Sequence, residues 1–302
     1  MVNKLKNIKE IIKATPELKD LNSFNEAQLI ELCLAAGVNL QKFKPQKAGE
    51  LLQKEIKERD MLLGYLIQSQ MIVNFTAPSG ICKSWLAMYL CVAMATGGTS
   101  LGLKAPKPRK IVYLDAEMPE IDAQTRMRCF ASGLVGELLK LFEANFSIMN
   151  IDGAGQELPD LTSLLAQRIV SHYCKDVDVL VIDNFISVFT ETDDKDDIKM
   201  KQFTNWLREL RKSGLTIITI NHTTKEGKRL GSVILDTYND LTIDIREPKP
   251  DSKGPNKDIK KDYLSFIFSK ARHLTAEQKE TFYFKFNIDE SGVNFWKVQP
   301  EI

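Results

Sequence analysis

Between Met71 and Thr96 the chain runs from an apolar strand, MIVNFT, through APSGICKS into a helix, KSWLAMYLCVAMAT. This order constrains the fold more than any other feature. A tight loop that leaves a strand and opens a helix turns its backbone N–H groups toward one point, with the helix N-terminus behind them. Such a nest holds phosphate oxygens. The pattern G-x-x-x-x-G-K-[ST] is met with two departures: Ala77 stands at the first glycine and Cys82 at the second. Lys83 is placed to reach the β- and γ-phosphates of a nucleotide, and the Ser84 hydroxyl to bind Mg²⁺. The candidate contacts with ATP are Ala77, Pro78, Ser79, Gly80, Ile81, Cys82, Lys83, Ser84 and Trp85. If Cys82 must adopt a left-handed conformation, its side chain costs about 1–2 kcal/mol. A thiol beside Lys83 at a helix N-terminus is also expected to be acidic and reactive, so that oxidation would block the site. The alternative is a small apolar residue without special chemistry.

Strands and helices alternate beyond this unit. β-rich runs occur at Met71–Thr76, Lys110–Leu114, Phe146–Ile151, Asp178–Ile182 and Leu215–Ile220, with helical stretches at about 83–96, 119–132, 159–174 and 197–213. Pro119 and Pro159 suit first turns, and Gly97, Gly133 and Gly214 suit helix ends. Continuous apolar strands such as Val177–Ile182 imply burial on both faces of a parallel sheet. The fold expected is therefore α/β, with a central, mostly parallel sheet. After about residue 240, four runs (Leu241–Ile245, Tyr263–Phe268, Thr281–Asn287 and Asn294–Val298) read as antiparallel hairpins extending it. Residues 1–62 read as a small helical arm: Ile8, Ile11 and Ile12, then Leu29, Leu32 and Cys33, then Leu51, Leu52 and Ile56 recur at helical spacing. Residues 63–302 form the core.

Composition excludes several classes. Of 302 residues 43% are hydrophobic and 27% charged, which suits a globular chain and not a disordered one. The longest apolar stretch, Trp85 to Ala95, falls short of the roughly 20 residues a membrane span needs. No apolar leader follows MVNKLKNIKE. Five scattered cysteines point to reduced thiols, and with three histidines and no C-x-x-C a structural zinc site is not expected. A cytoplasmic location follows as the expectation.

Two acidic positions extend the phosphate site. Asp183 ends the apolar strand VDVLVID, where a carboxylate would join the Mg²⁺ shell through Ser84 or a water. Asp115 and Glu117 lie just past the strand Lys110–Leu114, at the sheet edge where open α/β folds place their chemistry. Glu117 is preferred as the group that polarises an attacking water. Helix capping beside Pro119 is its plainer role.

Taken in order, APSGICKS, IVYLDAEMPE, VDVLVIDNF, ITINHTTKEGKRLGS and FIFSKARH resemble the RecA-like ATPases, closest to the plasmid RepA hexameric helicases and their AAA-type relatives, over about residues 65–290. The resemblance implies a sheet in which the strands bearing the phosphate loop and Asp183 are separated by the following strand, and a ring, usually a hexamer, with ATP between subunits. It implies Glu117 as the catalytic carboxylate, Asp183 as the metal-associated acid, Asn221 and His222 as the γ-phosphate sensor, and Lys270 and Arg272 as fingers reaching a neighbour's site. Arg272, always charged and planar, suits phosphate. The chain departs from the family at Cys82 and at Leu230-Gly231-Ser232, where Arg-Gly-Ser is usual and Arg229 sits one position early.

The formal charge of +1 conceals an acidic segment, ETDDKDD at 191–197, and a lysine-rich one at 249–261. The second is able to track a phosphate backbone, which makes single-stranded DNA the candidate partner; both segments also read simply as solvated loops. The leading expectation is a ring-forming ATPase motor, a helicase or helicase-like protein in the DNA replication of a plasmid or other mobile element. The arm would serve assembly or partner docking. The alternative is a nucleotide-dependent regulatory or scaffold protein with little hydrolysis.

Overall fold

The computed structural model describes residues 25–35, 39, 44–150, 160–184, 197–223, 237–247 and 263–299. Ile8, Ile11, Ile12, Pro159, Arg229–Ser232, the acidic segment up to 196 and the lysine-rich segment lie outside them. The chain divides into two units, Met1–Glu58 and Arg59–Ile302. In the first, α1 (Glu26–Ala35) and α2 (Ala48–Leu52) are helical. Helix α2 has only five residues and buries none of them, and Leu51, Leu52 and Ile56 are exposed.

The second unit is built on a nine-stranded sheet. Its strands are β3 (Ile72–Ala77), β6 (Ile111–Asp115), β7 (Phe146–Asn150), β8 (Val179–Asp183), β9 (Thr216–His222), β10 (Leu241–Arg246), β11 (Leu264–Ala271), β12 (Phe282–Asp289) and β13 (Gly292–Val298), in the spatial order β13-β12-β11-β10-β3-β9-β8-β6-β7. Two short hairpins, β1–β2 (Met61–Leu63, Ile67–Gln68) and β4–β5 (Thr99–Ser100, Leu103–Lys104), stand apart from it. Pairing is parallel from β10 through β7 and antiparallel from β10 to β13. The strand between β3 and β8 is β9. β10 pairs antiparallel with β11, as expected of a run that opens the C-terminal extension, and its other edge pairs parallel with β3, so it closes the parallel part of the sheet as well.

Helices cover both faces. α3 (Lys83–Thr96), α4 (Glu120–Ser132) and α5 (Glu137–Asn145) lie over one face, and α6 (Leu164–Tyr173) and α7 (Asp197–Lys212) over the other. The period-2 alternation of β3 divides it between them. Val73, Phe75 and Ala77 join the cluster of Leu86, Leu90 and Met94 from α3, while Ile72 joins that of Phe203, Leu207 and Leu210 from α7. Burial of each such apolar side chain is worth about 1.5–3 kcal/mol, and the polar residues that share these strands, Asn74 and Thr76 among them, are buried as well. Gly97 ends α3 in the left-handed conformation, φ 69°. Helix α6 starts at Leu164 rather than near 159, because Ser163 caps it by accepting from the Ala166 N–H at 3.2 Å. No helix among the described residues is long and apolar enough to cross a membrane.

Parallel register sets the functional edge. Ala77 stands level with His222, and Asp115 with both Asp183 and Asn150. The last residues of five strands therefore line one end of the sheet, the end at which the loop into α3 begins.

Candidate phosphate-binding site

The loop between β3 and α3 turns through two residues of positive φ, Gly80 at 82° and Cys82 at 21°. Glycine tolerates this region. At Cys82 the Cβ crowds the backbone, so the strain anticipated from the missing glycine is present. Packing against the core pushes the Cys82 pKa up to about 12, the direction opposite to that of an acidic thiol.

Lys83 is the first residue of α3 and is buried. Its Nζ lies 2.9 Å from His222 Nδ1, and Ser79 Oγ lies 3.0 Å from the same nitrogen. An ammonium only donates, so Nδ1 is the acceptor and the ring proton sits on Nε2. That edge faces Glu117 Oε1 at 3.5 Å. The Asn184 amide also donates to Glu117 Oε1. Loss of hydration on burial lowers the Lys83 pKa, and Arg126 lowers it further, against the opposing charges of Asp183 and Glu117.

The two aspartates are set differently. Asp115 Oδ1 accepts the backbone N–H groups of Glu117 and Met118, each at 3.0 Å, which folds the chain back after β6 and leaves Glu117 half-exposed at the edge. Asp183 Oδ2 accepts the Tyr113 hydroxyl at 2.5 Å, and the Ser84 hydroxyl bonds the same carboxylate. Burial raises the pKa of both aspartates. Asp183 Oδ1 and Asp115 Oδ2 are buried without a hydrogen-bond partner among the described residues. An unsatisfied acid oxygen beside a serine hydroxyl is the donor chemistry Mg²⁺ takes alongside phosphate oxygens and water, so Ser84 and Asp183 fit that ion.

The structure does not bring every expected residue to this edge. Asn221 and His222 are consecutive on β9, and strand alternation sends them to opposite faces. His222 joins the phosphate loop. Asn221, expected beside the γ-phosphate, is buried on the other face, its amide donating to Asn74 Oδ1 at 2.6 Å. The Trp85 ring packs on Phe130 at 5.7 Å under the Arg126 guanidinium at 5.0 Å, which ties α3 to α4. Lys270 and Arg272 lie at the far end. Ala271 and Val73 are both level with Leu241, four residues before the loop begins, or about 13 Å at 3.3 Å per residue. They do not serve this chain's own loop. Tyr113, Asn184 and Arg126 join the site without a motif of their own in the sequence. Asn184 carried a signal, since it directly follows the strand-end acid.

Comparison with known proteins agrees with this geometry. No curated protein sequence matches. The chain is similar in structure to a KaiC-like protein from the archaeon Pyrococcus horikoshii (TM-score 0.52, 16% identity, 76% of this chain and 90% of that one). It is also similar to the flagellar accessory protein FlaH from Methanocaldococcus jannaschii (TM-score 0.52, 10% identity, 75% and 89%). At these identities the likeness speaks for the RecA-like fold alone. The model of the family AAA_25, described as AAA domain, matches residues 38–228, more than half of the chain and all of the edge from the phosphate loop to His222. With its phosphate loop, strand-end acids and sheet order, the chain belongs to this AAA domain family and has the RecA-like ATPase fold.

Proposed function

We propose that the protein binds and hydrolyses ATP and works as a ring, a hexamer, with nucleotide between subunits. The observation that carries this reading is the contact chain from Lys83 and Ser79 through His222 to Glu117 and Asn184, beside the buried Asp183. Lys83 holds phosphate oxygens with the loop N–H groups. Glu117 accepts the proton of the attacking water, and Asn184 keeps its carboxylate turned inward. His222 links the γ-phosphate side of the site to Glu117 through its Nε2–H. Ser84 and Asp183 would hold Mg²⁺, which would supply neutralisation of the negative charge that develops on the phosphates. Arg272 and Lys270 act on a neighbour's nucleotide, a reading supported by their distance from their own loop. A finger supplied in trans is worth about three to five decades in rate.

The motor is assigned to DNA, as a helicase or helicase-like protein in replication of a plasmid or other mobile element, in the cytoplasm. The lysine-rich segment supports single-stranded DNA as partner. The arm, residues 1–62, is assigned to assembly or docking, since Leu51, Leu52 and Ile56 leave an apolar surface to be covered. A second reading, a nucleotide-dependent regulatory or scaffold protein with weak turnover, is favoured by the side chain and strain at Cys82. Hydrolysis by wild type and Lys83→Ala, with and without single-stranded DNA, separates them. Turnover stimulated by DNA and lost in the variant supports the motor. ATP binding without turnover supports the regulator. Failure to bind nucleotide defeats both.

A further inference from the structure

At the end of the sheet opposite the phosphate loop, Asp240 joins three elements. Its Oδ2 accepts the Ile72 N–H at 3.0 Å and Arg211 Nη1 at 3.1 Å, which fixes the start of β3 and the end of α7. Its Oδ1 lies 3.9 Å from Arg272 Nη1. The backbone repeats the pattern: the Asp240 N–H donates to Ile72 O at 2.8 Å, and the Arg272 N–H to Asp240 O at 3.1 Å. The other guanidinium nitrogen, Nη2, donates to Thr237 O at 3.1 Å, and Lys270 Nζ donates to the same carbonyl at 3.3 Å. Asp240 is nearly buried, with its carboxylate 11% exposed, whereas the Arg272 side chain is 57% exposed. A buried carboxylate thus sits behind an outward-facing guanidinium and grips the first residue of the strand that ends in the phosphate loop.

We propose that Asp240 is a positioning residue, which aims Arg272 outward for the neighbouring subunit's nucleotide and couples that finger through Ile72 to the chain's own phosphate-loop strand. The inference rests on the trans reading of Arg272. A short rigid strand transmits a shift along its axis better than a loop does. Movement of Arg272 on meeting a phosphate therefore acts on the base of β3, whose other end is Ala77.

The test is steady-state ATPase of full-length wild type, Arg272→Ala, Asp240→Asn and the double variant, with thermal melts of each. Asparagine keeps an acceptor for the Ile72 N–H and removes the charge behind the guanidinium. Asp240→Asn is expected to lower kcat about tenfold with KM for ATP unchanged, and to add nothing once Arg272 is alanine, which alone costs about a thousandfold. Equal loss from Asp240→Asn in both backgrounds, or none in wild type, overturns the proposal while leaving the finger intact. Undiminished kcat in Arg272→Ala instead defeats the finger reading itself, as does a wild type without turnover. Should Asp240→Asn not fold, Arg211→Gln removes the other cation from the same carboxylate. Its kcat is expected within about twofold of wild type, and a drop comparable to that of Arg272→Ala would assign the carboxylate to the α7 junction and overturn the proposal.

Discussion

Replacing Cys82 by glycine and, separately, by alanine isolates the strain in the phosphate loop. Both substitutions remove the thiol and its packing, so their difference depends on the backbone alone. Cys82 has φ 21° and ψ 30°, at the N-cap of α3. A side chain in left-handed backbone costs about 1–2 kcal/mol, which alanine keeps and glycine relieves. Glycine loses about 0.5–1 kcal/mol through the greater freedom of its unfolded chain. The glycine variant should therefore be the more stable by about 0.5–1 kcal/mol, the reverse of the usual order at a helix boundary. A domain of this size moves about 2–4 °C in Tm per kcal/mol, so a gap of about 1–4 °C is expected in paired thermal melts, with the same order in urea. A result with alanine equal to or above glycine would refute the reasoning, because it would mean that the loop carries no strain at this residue.

Other expectations follow from the same site. At pH 8, peptide-level alkylation of Cys82 should run about a thousandfold slower than that of an ordinary thiol, since burial lifts its pKa from 9.0 to about 12; rapid labelling would count against the burial described. Burial also raises the pKa of Asp183, so the native state holds that proton more tightly than the unfolded chain, and the associated stability is present at low pH and lost as pH rises through the native value. Asp183→Asn should therefore melt higher than wild type near pH 8, with the gap closing toward pH 4, while turnover is abolished; a lower melting point at pH 8 would contradict this. His222→Ala should reduce kcat by about a hundredfold, whereas Asn221→Ala should leave kcat near wild type and lower stability by about 1 kcal/mol, the loss of one buried hydrogen bond. Equal kinetic losses would deny the separation of their faces.

What the sequence disclosed depended on how local its cause was. Helix α3 was legible to the residue, because the loop chemistry marks its start at Lys83 and Gly97 its end. The parallel strands were legible because burial on both faces leaves apolar runs such as VLVID. Helix α5 was not, since its nine residues run directly into β7 without a side-chain cap. Direction was not legible for β10, whose pattern is the same whether it runs with β3 or against it. At the site, Lys83, Ser84, Glu117, Asp183 and His222 each stood at an element end that named them. Tyr113 and Arg126 act through partners distant in the chain, so no local spacing gave them away, and Asn184 was marked only by its place directly after the strand-end acid. Cys82 shows the same limit from the other side: its neighbours argue for an acidic thiol, but packing that local sequence does not display decides the opposite.

The proposed role of Glu117, oriented by Asn184 and facing His222, is to activate water on a nucleotide held by Lys83. Phosphate release by Glu117→Gln, measured beside equilibrium ATP binding, tests it most directly. Glutamine keeps the shape and the hydrogen-bonding reach while losing the base. ATP binding close to wild type and turnover reduced by about two to four decades are expected. Turnover near the wild-type rate with binding intact would contradict it.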